Sequence, residues 1–235
     1  MMDKNSICNY IMKLVKENEE YEDNIKDFEN FMKHSIGTYE MAERIIRNIR
    51  ANYPKIPIIE EEIETAAGLH DIGKVFNENP IFHELRGAKY IEEKGLGENS
   101  QKDIWRIAQM IRSHGHVYEC WKHPSCFFWR KEFESDELLV KTPEVILIPR
   151  RWQEVIVTYV DLVNYKGERV KVEDRLNDVI NRYKERYKNH DDIISKIIVE
   201  TVSEGFDRML NLAERVEALE NGKLTERDIL IFGFL

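Results

Sequence analysis

His34, His70, His114 and Asp161 lie on stretches with helical spacing, and the last three sit among apolar neighbours. Asp71 adjoins His70 in the run GLHDIGKV, from Gly68 to Val75. Burying ionisable groups is costly unless they are paired or bind a metal. One histidine on an apolar face is usually a hydrogen-bonded core residue, and one buried aspartate is usually paired with an arginine. The set together has another use. Imidazole with carboxylate suits borderline divalent metals such as manganese, iron, cobalt, nickel or zinc. Neighbours on a regular helix do not share a face. His70 and Asp71 therefore reach one ion only if it sits off the helix end, with Gly73 letting the chain turn away. Asp161, in IVTYVDLV, would be expensive as a lone carboxylate, which favours metal ligation.

These residues need helices to hold them. Apolar periodicity predicts a short helix from Ile7 to Lys16 and a longer one running towards Ile49, with His34 in its first half. A third lies between Pro57 and Asp71, with Gly73 as its stop. Leu85 to Glu93 is a shorter helix ended by Gly95. Ile104, Ile107, Ile111 and His114 share a face, and Trp152 to Tyr165 carries Asp161. Val172 to Tyr187 and Asp192 to Leu219 follow, with Thr225 to Asp228 capping a last helix before the apolar ending IFGFL. The fold class expected is all-α.

Between Val117 and Arg150 the pattern breaks. The stretch is rich in aromatics and interrupted by Pro124, Pro143 and Pro149. Leu138-Leu139-Val140 and Val145 to Ile148 suggest a short β-hairpin. Trp121, Phe127, Phe128 and Trp129 suggest a lid over the metal cleft. His116, Cys120, His123 and Cys126 suggest an alternative, a small zinc site, because Cys and His are its usual ligands. Their spacing is not a standard one.

The whole chain has 235 residues, 42% of them hydrophobic, and a formal net charge of -9. That length favours one domain. The acidic balance argues against broad nucleic-acid binding, which needs many cationic phosphate contacts. The first twenty residues carry charges throughout, unlike a signal peptide or a membrane span. Three cysteines fit a reducing cytoplasm better than a disulfide scaffold.

A histidine on one helix, a His-Asp pair followed by Ile-Gly-Lys, and an aspartate on a later helix resemble the HD-domain metal-dependent phosphohydrolase superfamily. FHELRGAKYIEE, from Phe82 to Glu93, and DLVNYKGERVKVEDRLNDVINRY, from Asp161 to Tyr183, are similar to further family segments. The resemblance spans about 34–183 and implies a helical-bundle core; the single domain expected has its core over about 28–187, the aromatic insertion at about 117–150 and C-terminal helices over about 190–235. It implies that His34, His70, Asp71 and Asp161 ligate one divalent metal (Mn, Fe, Co, Ni, Zn or Mg). His83 and His114 occupy the places of a second site, which Asp71 would bridge. Gly115 departs from the family, where a second histidine often adjoins the first. Lys74 is implied to contact a substrate phosphate, and Asp71 and Lys74 form the catalytic pair. Arg112 is a candidate phosphate partner, whereas Arg86 reads as a surface residue.

The expected activity is cleavage of a phosphoester, of a nucleotide or related small molecule, by metal-activated water. The alternatives are a di-iron oxygenase of the same fold and a non-catalytic nucleotide-binding sensor. The expected partner is a small phosphorylated substrate, with no membrane and a cytoplasmic setting.

Overall fold

The computed structural model describes residues 2–17, 28–77, 79–165, 167–190 and 192–232. It is all-α apart from one two-stranded hairpin. Helix α1 spans Lys4–Glu17, α2 Phe28–Asn52, α3 Glu60–Leu69, α4 His83–Lys94, α5 Gln101–Arg112 and α10 Trp152–Val163. The C-terminal part holds α11 (Val172–His190), α12 (Ile193–Glu204), α13 (Phe206–Glu220) and α14 (Glu226–Phe232).

Helix α10 is the buried axis, packed by α2, α3, α5 and α13. Its sequence WQEVIVTYVDLV is apolar almost all round, as a core helix must be. Asp161 is the one residue of α10 that is not fully buried. Ile45, Ile49, Ile63, Ile107 and Ile156 have no exposed surface, each burial stabilising by roughly 1.5–3 kcal/mol. No helix among the described residues is long and apolar enough to cross a membrane.

The aromatic segment forms a second, smaller core. Val117, Cys120, Trp121, Cys126, Phe133, Leu139 and Leu147 pack on Ile81, Phe82 and Leu85, with Ile197 of α12 completing the cluster. The hairpin expected here is absent. The chain forms α6 (Val117–Lys122), α7 (Phe127–Arg130), α8 (Glu137–Lys141) and α9 (Pro143–Leu147) instead. Local capping overrides the β-branched composition. The Asp136 carboxylate accepts from Leu139 N at 3.0 Å, and Pro143 opens α9, where its missing N–H costs nothing.

The hairpin occurs later, pairing Asn164–Tyr165 (β1) with Glu168–Arg169 (β2). Expectation had Tyr165 as helix. Asn164 Oδ1 accepts from Gly167 N at 2.9 Å, and Gly167 has φ +88, so this turn requires glycine. The long helix expected over Asp192–Leu219 is broken at Gly205, where a side chain would lie 2.7 Å from His116 Nδ1. Thr225 and Asp228 cap α14 reciprocally as expected, while the last three residues of the apolar ending lie outside the described residues.

Candidate metal centre

Helix α3 stops at Leu69, and His70 and Asp71 sit in the turn that follows. Residues Ile72–Phe76 then form a 3-10 turn. Gly73 is therefore not the helix stop. A side chain on Gly73 would meet the His83 carbonyl oxygen at 1.8 Å and Gly87 N at 2.6 Å. Backbone rests on backbone here, which draws the start of α4 against the His-Asp turn. His114 sits just past α5 rather than on it.

His34 and His70 meet between two carboxylates: His34, His70 and Asp71 form one group able to hold an ion, and His70, His114 and Asp161 another. His34 Nε2 lies 3.1 Å from His70 Nε2 and 3.0 Å from Asp161 Oδ1. His70 Nε2 lies 3.4 Å from Asp161 Oδ1, and Asp71 Oδ2 stands 3.7 Å from His34 and 3.5 Å from His70. Ligands held at about 2.0–2.2 Å from a divalent ion are about 3.0–3.6 Å apart, and all of these separations but His34–Asp71 lie in that range. Two imidazole lone pairs 3.1 Å apart would repel without a proton or a cation between them.

The other oxygen of Asp71 faces a second set. His83 Nε2 is 2.9 Å from Asp71 Oδ1, and His114 Nε2 is 3.9 Å from it. Though that close, the buried His83 Nε2 makes no well-aligned hydrogen bond. A buried nitrogen with its lone pair unused is what a ligand position needs. The groups able to hold an ion, among the described residues, all draw on His34, His70, Asp71, His83, His114 and Asp161.

Three of the histidines are aimed in the same way. Nδ1 bonds the carbonyl three residues back: His70 to Ala67 at 2.7 Å, His83 to Pro80 at 2.7 Å, His114 to Ile111 at 2.6 Å. Donation from Nδ1 leaves Nε2 as the free lone pair, facing the cluster. His34 differs. It leans on Asn164, whose Nδ2 donates to the His34 carbonyl at 3.0 Å and to Thr38 Oγ1 at 2.8 Å.

Electrostatics follow from burial and proximity. Burial opposes charge on Asp71, but Lys74, His70 and His83 outweigh it and hold its carboxyl well below the usual range. Asp161 is likewise held low, burial being outweighed by His70 and His34. Burial also opposes charge on His70, yet Asp71 and Asp161 raise its pKa. Burial pushes His114 down to about 4, helped by His70, and also lowers His83. Lys74 Nζ is 2.5 Å from Asp71 Oδ2.

The remaining candidates lie elsewhere. Arg112 pairs with Glu92 at 2.5 Å and donates to Gln109. Arg86, expected at the surface, is buried and bonded to the loop before α4. His123 pairs with Glu200, and Cys120 Sγ donates to Thr201, so the Cys/His set of the insertion does not converge. Trp121 is buried against Phe82, ring centres 5.8 Å apart, while Phe127 and Phe128 are exposed.

Two residues escaped sequence reasoning. Asn164 fits against Gly37, where a side chain would come within 3.0 Å of its Nδ2. Glu84 is buried, and its Oε1 lies 3.4 Å from where a Gly115 side chain would begin. An asparagine three residues after Asp161 and a carboxylate beside His83 were the available signals.

Comparison with curated proteins and with solved structures gives no match. The family model of the HD domain matches residues 31–137, a stretch that contains His34, His70, Asp71, His83 and His114 and ends before Asp161. A His/Asp cluster able to hold a metal, on an all-α fold, agrees with that match: residues 31–137 of this chain form an HD domain.

Proposed function

We propose that this protein is a metal-dependent phosphohydrolase cleaving a phosphoester of a nucleotide or related small molecule. The observation that carries this reading is the division of Asp71. Its Oδ2 faces His34 and His70, and its Oδ1 faces His83 and His114. His34, His70, Asp71 and Asp161 hold one divalent ion, and His83, His114 and the shared Asp71 hold a second. Bound there, a divalent metal supplies Lewis acidity, lowering the pKa of a coordinated water and polarising a phosphoryl oxygen.

The chain's own residues do the rest. His70 and His114 are at most 1% exposed and form the floor, while His34, Asp161 and Lys74 are 19%, 23% and 38% exposed along their side chains. Substrate therefore approaches from the side of these three. Lys74 carries its cation to the phosphoryl group, where negative charge grows in the transition state. Arg112, turned to Glu92, has no part in this reading.

The test is a screen of protein loaded with Mn, Co, Fe, Zn or Mg against phosphomonoesters, phosphodiesters and nucleotides, in air and without oxygen. Metal-dependent phosphate release or diester cleavage, equal in both atmospheres, is the expected result. Turnover that requires oxygen would instead assign an oxygenase. Tight nucleotide binding without turnover would assign a sensor.

A further inference from the structure

Helix α4 starts under constraint. Its N-cap, Phe82, has φ +64, the only left-handed non-glycine among the described residues. No side chain caps this end. A bulky residue persists in that conformation only where its surroundings over-determine it.

Arg86 supplies the hold. It is one turn into α4, 7% exposed, and its guanidinium turns back towards the entering loop. Nη2 donates to the carbonyls of Asn79 at 2.5 Å and Ile81 at 2.7 Å. The carbonyl between them, Pro80 O, accepts from His83 Nδ1 at 2.7 Å. Nη1 meets Glu132 Oε2, in the aromatic insertion, at 3.3 Å. One guanidinium thus grips both neighbours of the carbonyl that sets the His83 ring. Nη2 makes both loop bonds, and the fork's other arm, Nη1, carries the link to Glu132.

We infer that Arg86 is a positioning residue for His83. It fixes the Asn79–Ile81 loop so that Nε2 faces Asp71 Oδ1, and through Glu132 it ties that position to the insertion. This rests on reading His83 as a ligand of the second ion. Arg86 touches neither metal nor substrate, so its loss should act on one ion and not on the other.

Arg86→Met, Arg86→Lys and Glu132→Gln are compared with His83→Ala and wild type. The measurements are Mn(II) titration calorimetry, elemental analysis and the imidazole 15N resonances of the metal-free protein. Folding is checked by circular dichroism. Arg86→Met should keep the first ion at wild-type affinity and bind the second at least tenfold more weakly, approaching His83→Ala. The His83 Nδ1–H signal should shift or broaden while those of His70 and His114 stay. Arg86→Lys should recover part of the loss, and Glu132→Gln should show a smaller loss of the same kind. If Arg86→Met does not fold, the lysine and glutamine variants decide by the same criteria. Wild-type affinity for both ions with an unchanged His83 resonance in the folded Arg86 variant would overturn the inference. Should wild type bind one ion only, the second site fails, and the His83 resonance alone then decides whether Arg86 positions the ring.

Discussion

Lys74 Nζ lies 2.5 Å from Asp71 Oδ2, the same oxygen that faces His34 and His70. One lone-pair region thus serves both the lysine and the ion site. Burial opposes charge on Lys74, but Asp71 outweighs it and raises its pKa, so the lysine stays cationic across neutral pH. An ion taking up that oxygen weakens the hold of Asp71 on the ammonium. On the proposed reading, the ammonium would then be free to meet a substrate phosphate.

Lys74→Ala should therefore keep its metal and lose turnover. Removing one donor to transition-state charge typically costs on the order of a hundredfold. Metal titration together with steady-state kinetics on the best substrate checks this. Unchanged kcat would remove Lys74 from the chemistry.

The two ion positions should separate by mutation. His70→Ala removes a ligand of the first site at the buried floor and should abolish stable metal binding and activity while the protein stays helical. His83→Ala should keep one ion of the two. Elemental analysis per chain reads both outcomes. A His70→Ala protein with wild-type metal content would sink the assignment.

The cysteines give a test away from the centre. Burial pushes the Cys126 thiol up to about 11 and raises Cys120 well above the usual thiol range. A raised thiol pKa leaves less thiolate at any lower pH, and thiolate is the reacting form. At pH 8 a maleimide or iodoacetamide should label native protein at the half-buried Cys8 and spare Cys120 and Cys126. Urea should open all three. Peptide mass spectrometry reads the sites, and rapid native labelling of Cys120 would contradict the packing of the second core.

Stability should depend on the hairpin arginine. Arg169 donates to both oxygens of the buried Glu220, at 3.0 and 2.6 Å, and to Tyr159 Oη at 2.6 Å. Arg169→Met leaves that carboxylate with Asn48 alone, at a cost of about 1–3 kcal/mol. Adding Glu220→Gln should return part of it, since a neutral amide is cheaper to leave half-satisfied. Urea denaturation of the single and double variants measures both effects.

The His-Asp run, His114 and Asp161 were legible because ionisable residues among apolar neighbours demand a reason, and His34 through the family pattern. The helices around them were legible from periodicity. The segment at 137–148 was misread because a run such as Leu-Leu-Val suits a strand or a helix equally. Asp136 and Pro143 decided it, through capping. Gly73 was misread because a glycine past a helix looks like a terminator, whereas its lack of a side chain serves contact with α4. Arg86 was taken for a surface residue because sequence cannot show that a loop folds back over it. Asn164 went unnoticed because its partners, His34 and Thr38, lie 130 and 126 positions away.

The carbonyl contacts that aim His70, His83 and His114 each span three residues. Such bonds close with the local turn and need no distant partner. The Nδ1 side of His34 instead faces Asn164 Nδ2, 3.4 Å away, a long-range contact of the kind that forms late. During refolding, three rings should therefore be set before the fourth. If the set holds an ion, its capture during refolding should follow docking of the hairpin, and a chain released from denaturant in the presence of metal would carry its own reporter of that step.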